Sequence, residues 1–225
     1  MSLKQQRMKI WDFPTRFFHW AMLSLLVTLW WTANEGEMTW HQYAAYSLMI
    51  LIVTRIIWGF IGSDTARFNH FILSPRRVVE YIKLIKQSGV KPHVGHNPLG
   101  GYMVIALLVV LTLQLACGLF ATDEIFSEGP FVAYVSSEFA SAATWLHKKN
   151  FDLLLVLASV HIFAVLVHQW RGDKLILPMI HGYKVIHSAR ETSLIFVSTW
   201  RWLIVALFVS SIVGYVLIYP LTLAF

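Results

Sequence analysis

Four histidines in this chain are surrounded by apolar residues. His19 lies in "RFFHWAML", His41 in "MTWHQYAAY", and His147 and His161 bound the run "HKKNFDLLLVLASVH". His168 follows His161 by seven residues. An imidazole in hydrocarbon is costly, so ionisable groups kept there are functional by default. On a helix, the 14 residues from His147 to His161 advance about 21 Å and leave both rings within about 40° of one face. His168 extends that stripe roughly 10 Å further. One helix would thus present imidazoles at two depths. His41 and His19 fall near the same two depths on two other apolar segments. This predicts an outer pair, His41 with His147, and an inner pair, His19 with His161. Two imidazoles on facing helices suit the axial positions of a haem iron, and helical bundles hold such cofactors in their interiors. A lone intramembrane histidine is more often a hydrogen-bonding group between helices. Four of them at two matched depths favour ligation, so the expectation is two haem b.

Other chemistries fit less well. Cys117 is the one cysteine, which excludes an internal disulfide, iron–sulfur ligation and the Cys-x-x-Cys-His attachment of c-type haem. A shared zinc or iron ion would need His147 and His161 far closer together, with a carboxylate interleaved. Ala45 and Ala158, one turn from ligands, would let a flat macrocycle approach the backbone. His168 could compete for the inner haem, hydrogen-bond a propionate, or line a quinone pocket. Arg55 follows His41 by 14 residues and so returns to the same face at the inner depth. It could pair with a propionate, or snorkel to the interface. His70, His93, His181 and His187 read as surface or interface polarity. His96, in "GHNPLGG", is the exception to watch.

The elements that must position these residues are membrane spans. The 225 residues are 57% hydrophobic and 13% charged, and mean hydropathy is +0.60. That is too apolar for a soluble domain. Spans are predicted at about 14–32, 41–61, 98–121 and 144–170, with a fifth at about 202–221, each near the roughly 20 residues a crossing needs. The expected class is an all-α membrane protein: a four-helix di-haem bundle over residues 1–190, and an additional C-terminal helix in 191–225. The first apolar run follows a basic tail, as a secretion signal would, but it is long, ends in Trp30-Trp31 and lacks a cleavage site. It reads as a retained anchor.

Lys and Arg set orientation. They gather in the N-terminal tail (Lys4, Arg7, Lys9), in the loop from 62 to 97 (Arg67, Arg76, Arg77, Lys83, Lys86, Lys91) and after the fourth span (Arg171, Lys174, Lys184, Arg190). Glu35, Glu37, Asp123, Glu124, Glu128 and Glu138 mark the other side, which only Lys148 and Lys149 break. The N-terminus is therefore expected in the cytoplasm and the C-terminus in the periplasm. The net charge of +6 is a topology signal and not a nucleic-acid footprint. "SPRRVVEYIKLIKQSG" predicts a short amphipathic helix with Ser74 as cap, Pro75 in the first turn and Gly89 at the stop.

"IWDFPTRFFHW", "WHQYAAYSLMILIVTRIIWGFIG", "ARFNHFI", "GHNPLGG" and "HIFAVLVH", in that order, resemble the bacterial cytochrome b561 family, which is grouped with the b-type subunits of nickel–iron hydrogenases. The resemblance covers about residues 9–184. It implies a four-helix di-haem b cytochrome of the bacterial inner membrane that passes electrons between the quinone pool and an extracytoplasmic partner. His19, His41, His147 and His161 match the ligand positions, and Arg55 matches the span-two arginine. The implied partners are lipid, quinone, and a periplasmic c-type cytochrome or hydrogenase-like subunit, with a homodimer also open. The stretch after Lys184 departs from the four-helix pattern. Whether the chain is an electron-transfer subunit or a quinone-linked oxidoreductase stays open. One rival is a self-sufficient superoxide:quinone oxidoreductase, with which Lys148 and Lys149 beside His147 are compatible. A rival of another class is a haem-free anchor or transporter.

Overall fold

A computed structural model describes residues 5–89, 93–125, 127–187 and 193–218. Lys4, Lys91 and Arg190, the boundary expected at 190/191 and the far end of the fifth span lie outside them. The chain is mostly helical, at 75%. The helices are α1 (Phe13–Glu35), α2 (Met38–Ile61), α3 (Phe68–Phe71), α4 (Pro75–Ser88), α5 (Pro98–Gly118), α6 (Ser137–Trp170), α7 (Ile176–His181) and α8 (Thr199–Val213). A π-helical turn, Gly214–Ile218, continues α8. Among the described residues, α2, α5, α6 and α8 with its turn are long and apolar enough to cross a membrane. Helix α1 forms where the first span was expected but is not among them. His19, Trp20, Trp30 and Trp31 dilute its apolar run.

An all-α reading misses one feature. Strands β1 (Gln5–Lys9) and β2 (Tyr183–His187) pair antiparallel, with Arg7 opposite Val185. The chain divides into two compact units, described separately below.

Unit 1 comprises residues 1–19, 55–105 and 160–205. Its centre is Asp12, which is 2% exposed. One carboxylate oxygen accepts from the Thr15 N–H at 2.9 Å and so caps α1, with Pro14 in the first turn. The other accepts from Trp58 Nε1 at 2.8 Å. Next to it, the Gly182 carbonyl receives the Ile10 and Trp11 N–H groups. Gly182 sits at φ +90°, and a Cβ there would stand 2.8 Å from the Trp11 carbonyl oxygen. Gly59 is equally constrained, since its Cβ would enter the Phe68 ring. Helix α4 starts at Pro75 and stops at Gly89, which has φ +73° and donates to the Ile85 carbonyl. Ser74 makes no side-chain cap bond. Val78, Tyr81 and Ile85 are half-buried, while Val79, Ile82 and Leu84 stay exposed, as a helix at an apolar boundary requires. The chain before α8 is bound to the turn after α2. The Ile195 N–H donates to Asp64 at 2.8 Å and the Val197 N–H to Ser63 Oγ at 3.1 Å. Trp202 then packs edge-on against Phe13 and Phe17.

Unit 2 comprises residues 20–54, 106–159 and 206–225. Its loop after α5 is closed by a bridge between Thr122 and Glu128. Asp123 Oδ1 accepts the Ile125 and Ser127 N–H groups, an Asx turn. Thr144 Oγ1 accepts the Thr122 N–H at 3.0 Å and ties the loop to α6.

Asp12→Ala removes a helix cap and strands the Trp58 N–H in the interior. The expected loss is about 2–4 kcal/mol of stability. Thermal unfolding in detergent, compared with Trp58→Phe, measures it, and the Asp12 variant should be the less stable.

Candidate cofactor-binding site

Unit 2 brings His41 on α2 and His147 on α6 together. Their ring centres are 6.5 Å apart and the planes cross at 73°. His41 Nδ1 lies 3.0 Å from the Leu29 carbonyl oxygen and 3.3 Å from Thr32 Oγ1. Thr32 Oγ1 is itself 2.8 Å from the Thr28 carbonyl, to which it donates. His147 Nδ1 lies 2.9 Å from the Gln114 carbonyl oxygen. A carbonyl can only accept, so each Nδ1 carries the proton and each Nε2 holds the lone pair. That is the tautomer of a metal-ligating histidine, oriented through its other nitrogen. The spacing also fits. Two metal–nitrogen bonds of roughly 2.0 Å, with half an imidazole on either side, put axial ring centres about 6 Å apart.

The two rings line a cavity of about 450 Å³ whose wall includes Leu26, Ala45, Tyr46, Gly118 and Leu154, within the range of ligand pockets. Gly118 leaves space for the ring, since a Cβ would stand a tight 3.1 Å from His147 Cε1. Ala45 lines the cavity.

Unit 1 brings His19 and His161 close enough for the charge of one to act on the other. Arg55 is 4% exposed, so its guanidinium does not reach an aqueous surface. It lies 5.9 Å from the centre of the Phe18 ring and 5.5 Å from that of Phe68. Its Nη1 is buried without a hydrogen-bond partner among the described residues. A buried guanidinium nitrogen left unbonded suits an anionic group such as a propionate.

His168 sits elsewhere in unit 1. Its Nδ1 is 3.0 Å from Asp173 Oδ2, and its Nε2 is 3.5 Å from Asn97 Nδ2. Asp173 also pairs with Lys184. Both are nearly inaccessible, at 3% and 5% exposure, and Lys184 also donates to the His93 carbonyl at 3.2 Å. Lys184 is thus half of a buried ion pair as well as a loop charge. Asn97 Oδ1 accepts the Gly100 N–H at 2.7 Å and caps α5, which starts at Pro98. Part of "GHNPLGG" is therefore a helix start. His96 in that motif packs between Trp11, at 4.7 Å, and Phe71, at 4.6 Å. Its Nδ1 is buried without a partner among the described residues. Of the remaining loop histidines, His70 contacts Arg67, and His181 Nδ1 accepts the Tyr183 N–H.

Sequence reasoning missed Thr32, Gln114, Asn150, Asp12 and Asp173. The available signal was a neutral polar side chain inside an apolar span, or an acid at its end, and it cannot say which neighbour is served.

The fold is that of a mostly helical, multi-span membrane protein with paired imidazoles inside it. A family model for prokaryotic cytochrome b561 matches residues 10–182, and the chain belongs to that family. It is a membrane b-type cytochrome of electron transfer that binds b-type haem and lies in the inner membrane as a multi-pass protein. No individual curated protein matches the chain significantly.

The environment of His96 has a pH consequence. Burial, aided by the charges of Arg55 and His161, pushes its pKa from 6.5 down to about 3. Between those values the unfolded chain binds a proton that the folded chain does not. Stability should therefore fall as pH drops through that window. Thermal melting in detergent from pH 7 to 4 should show a shallower acid loss for His96→Phe than for the parent.

Proposed function

We propose that the chain holds two haem b groups, an outer one between His41 and His147 and an inner one between His19 and His161, and transfers electrons across the bilayer between the quinone pool and an extracytoplasmic redox partner. The observation that carries this reading is the His41–His147 pair: two Nδ1 atoms committed to carbonyls, ring centres 6.5 Å apart, and a cavity between helices. Bound haem supplies one-electron redox chemistry at each iron, with potentials set by ligands, burial and nearby charge. The protein holds each ring in one tautomer, excludes water with leucines and aromatics, and places the Arg55 charge on the inner side. Spacing along α6 sets the two ligand positions about 21 Å apart by helical rise, which suits transfer from one side of a membrane to the other.

The remaining assignments follow the charge pattern and the resemblance. The N-terminus is cytoplasmic and the C-terminus periplasmic. Residues 1–190 form the di-haem domain, and the fifth helix serves assembly with a redox subunit or a second copy. The partner is a c-type cytochrome or a hydrogenase-like subunit. His168, held by Asp173 through Nδ1, is assigned to the quinone side. A second reading, a superoxide:quinone oxidoreductase, draws on Lys148, which lines the outer cavity. Superoxide reduction by the purified protein without any partner separates the two.

A pyridine haemochrome assay should return two haems per chain, and EPR of the oxidised native protein should show both low-spin. His41→Ala and His147→Ala should remove one spectral component, and His19→Ala and His161→Ala the other. Identical loss from His147→Ala and His19→Ala would sink the pairing.

Arg55 bears on the inner haem alone. A buried positive charge stabilises the reduced iron, so Arg55→Leu should lower the inner midpoint potential in a redox titration while both haems stay bound. The outer midpoint should not move.

A further inference from the structure

Two amides of unit 2, Asn150 on α6 and Gln114 on α5, meet between their helices. Asn150 on α6 is 3% exposed. It directs its amide hydrogens at α5: Nδ2 donates to the Val110 carbonyl at 2.9 Å and to Gln114 Oε1 at 2.7 Å. The second bond decides how the Gln114 amide is turned. With Oε1 committed to Asn150, Gln114 Nε2 faces His147 Nε2 at 3.3 Å. The main-chain carbonyl of the same residue accepts from His147 Nδ1 at 2.9 Å. One glutamine therefore addresses both nitrogens of one imidazole.

The two contacts select the same tautomer. An amide nitrogen only donates, so the ring nitrogen it faces must be the lone-pair nitrogen. A carbonyl only accepts, so the other ring nitrogen must carry the proton. Gly118 lets the ring lie against α5, because a Cβ there would stand 3.3 Å from His147 Nδ1. At His41 the contacts are a carbonyl and a hydroxyl on Nδ1, with no side-chain amide among them. His168 also meets an amide, from Asn97 at 3.5 Å, but its other nitrogen faces a different residue, Asp173. Among the described residues, His147 has both nitrogens addressed by one glutamine.

We propose that Gln114, oriented by Asn150, is a positioning residue that holds His147 in the ligating tautomer and ring angle for the outer haem. The proposal rests on the His41–His147 reading above. Haem iron, if bound at Nε2, would take the place of the side-chain contact, so the amide would present the ring for loading, while the main-chain bond would hold Nδ1 before and after. Partners on the non-ligating nitrogen change metal affinity about 10–100-fold when removed. At His147 that partner is the Gln114 main-chain carbonyl, and an effect at the low end of that range is expected for the side chain that fixes the same tautomer from the other nitrogen. Amides between spanning helices also hold helices together. That role alone would move thermal stability and leave the ring angle unchanged.

The test uses the full-length protein purified with its haems. Gln114→Met keeps bulk and removes the amide. Gln114→Glu keeps an acceptor for Asn150 and removes the donor to His147. Asn150→Leu removes the orienting group. Two readouts are taken on each haem: the low-spin EPR signal, which reports the angle between axial imidazole planes, and haem affinity in competition with a scavenger. The outer-haem signal should move, and outer-haem affinity should fall about tenfold or more, in all three variants. The inner haem should be unchanged. The Gln114→Met/Asn150→Leu double variant should be no worse than Gln114→Met alone, because Asn150 acts through Gln114. An unchanged outer signal and affinity, equal losses at both haems, or additive losses in the double variant would each overturn the proposal. If one glutamine variant fails to fold, the other and Asn150→Leu decide by the same criteria. If His147→Ala leaves the outer haem in place, the ligand reading fails and takes this proposal with it. If His147→Ala removes that haem while the Gln114 variants behave as the parent, only the proposal fails.

Discussion

An imidazole among apolar helices carries an N–H that must find an acceptor, and in unit 2 the helix backbone supplies it. A helical carbonyl already bonded within its own helix keeps a second lone pair. The Leu29 carbonyl serves His41, and the Gln114 carbonyl serves His147. Each bond needs the ring to lie close to a neighbouring helix, which limits what that helix can carry there. Gly118 fits this: a Cβ at that position would press on the His147 ring at 3.1 Å, so a larger residue there would push the ring by a few tenths of an ångström. The bonds also leave both Nε2 atoms as lone pairs, so satisfying the polar group and preparing a metal ligand are one act. Leaving such a buried donor unbonded would cost about 1–3 kcal/mol, enough to make the contact a condition of the fold.

Unit 1 meets its polar burden with charge. Asp12, Asp173 and Lys184 are nearly inaccessible, and the structure surrounds each with specific partners: the Thr15 and Trp58 N–H groups for Asp12, and Lys184 with His168 for Asp173. Removing one member of a buried pair costs about 3–5 kcal/mol. An exposed pair such as Arg76–Glu80, with side chains 89% and 60% accessible, contributes under about 1 kcal/mol. The β1–β2 pairing matters for this reason. It brings the segment holding Lys184 into order and so makes the Asp173 contact possible. Arg55 differs from these groups. It feels Asp12 electrostatically, yet its Nη1 has no hydrogen-bond partner among the described residues, which marks it as a group free to serve something bound.

Much of this was legible along the chain, because the signals are local. Apolar runs of crossing length mark α2, α5, α6 and α8. Pro75 and Gly89 bound α4, and an Asn before Pro98 starts α5. The interval between His147 and His161 follows from helical rise, and matched depth was the signal that set His41 beside His147. The amino-acid pattern had less to say where signals are weak or partners distant. Helix α1 forms over the run expected as the first span, yet its run is less apolar than those of the other four and it is not among the helices apolar enough to cross a membrane. "QQRMK" and "YKVIH" are five residues each with no marked alternation, and a strand of that length is decided by what lies beside it.

The sequence by itself determined the membrane class, the helices and the depths at which imidazoles occur, since hydropathy and the 3.6-residue period depend only on near neighbours in the chain. Only the tertiary structure decided which polar group answers which. Lys184 counts as a loop charge in sequence and is half of a buried pair in the fold. Gln114 is an amide in an apolar run and Asn150 one polar residue beside Lys148, Lys149 and Asp152, until α5 and α6 pack and turn Asn150 toward Gln114, and Gln114 toward His147. A hydrogen bond acts over about 3 Å, so its partner is set by which helix faces meet, and that information belongs to the packed chain.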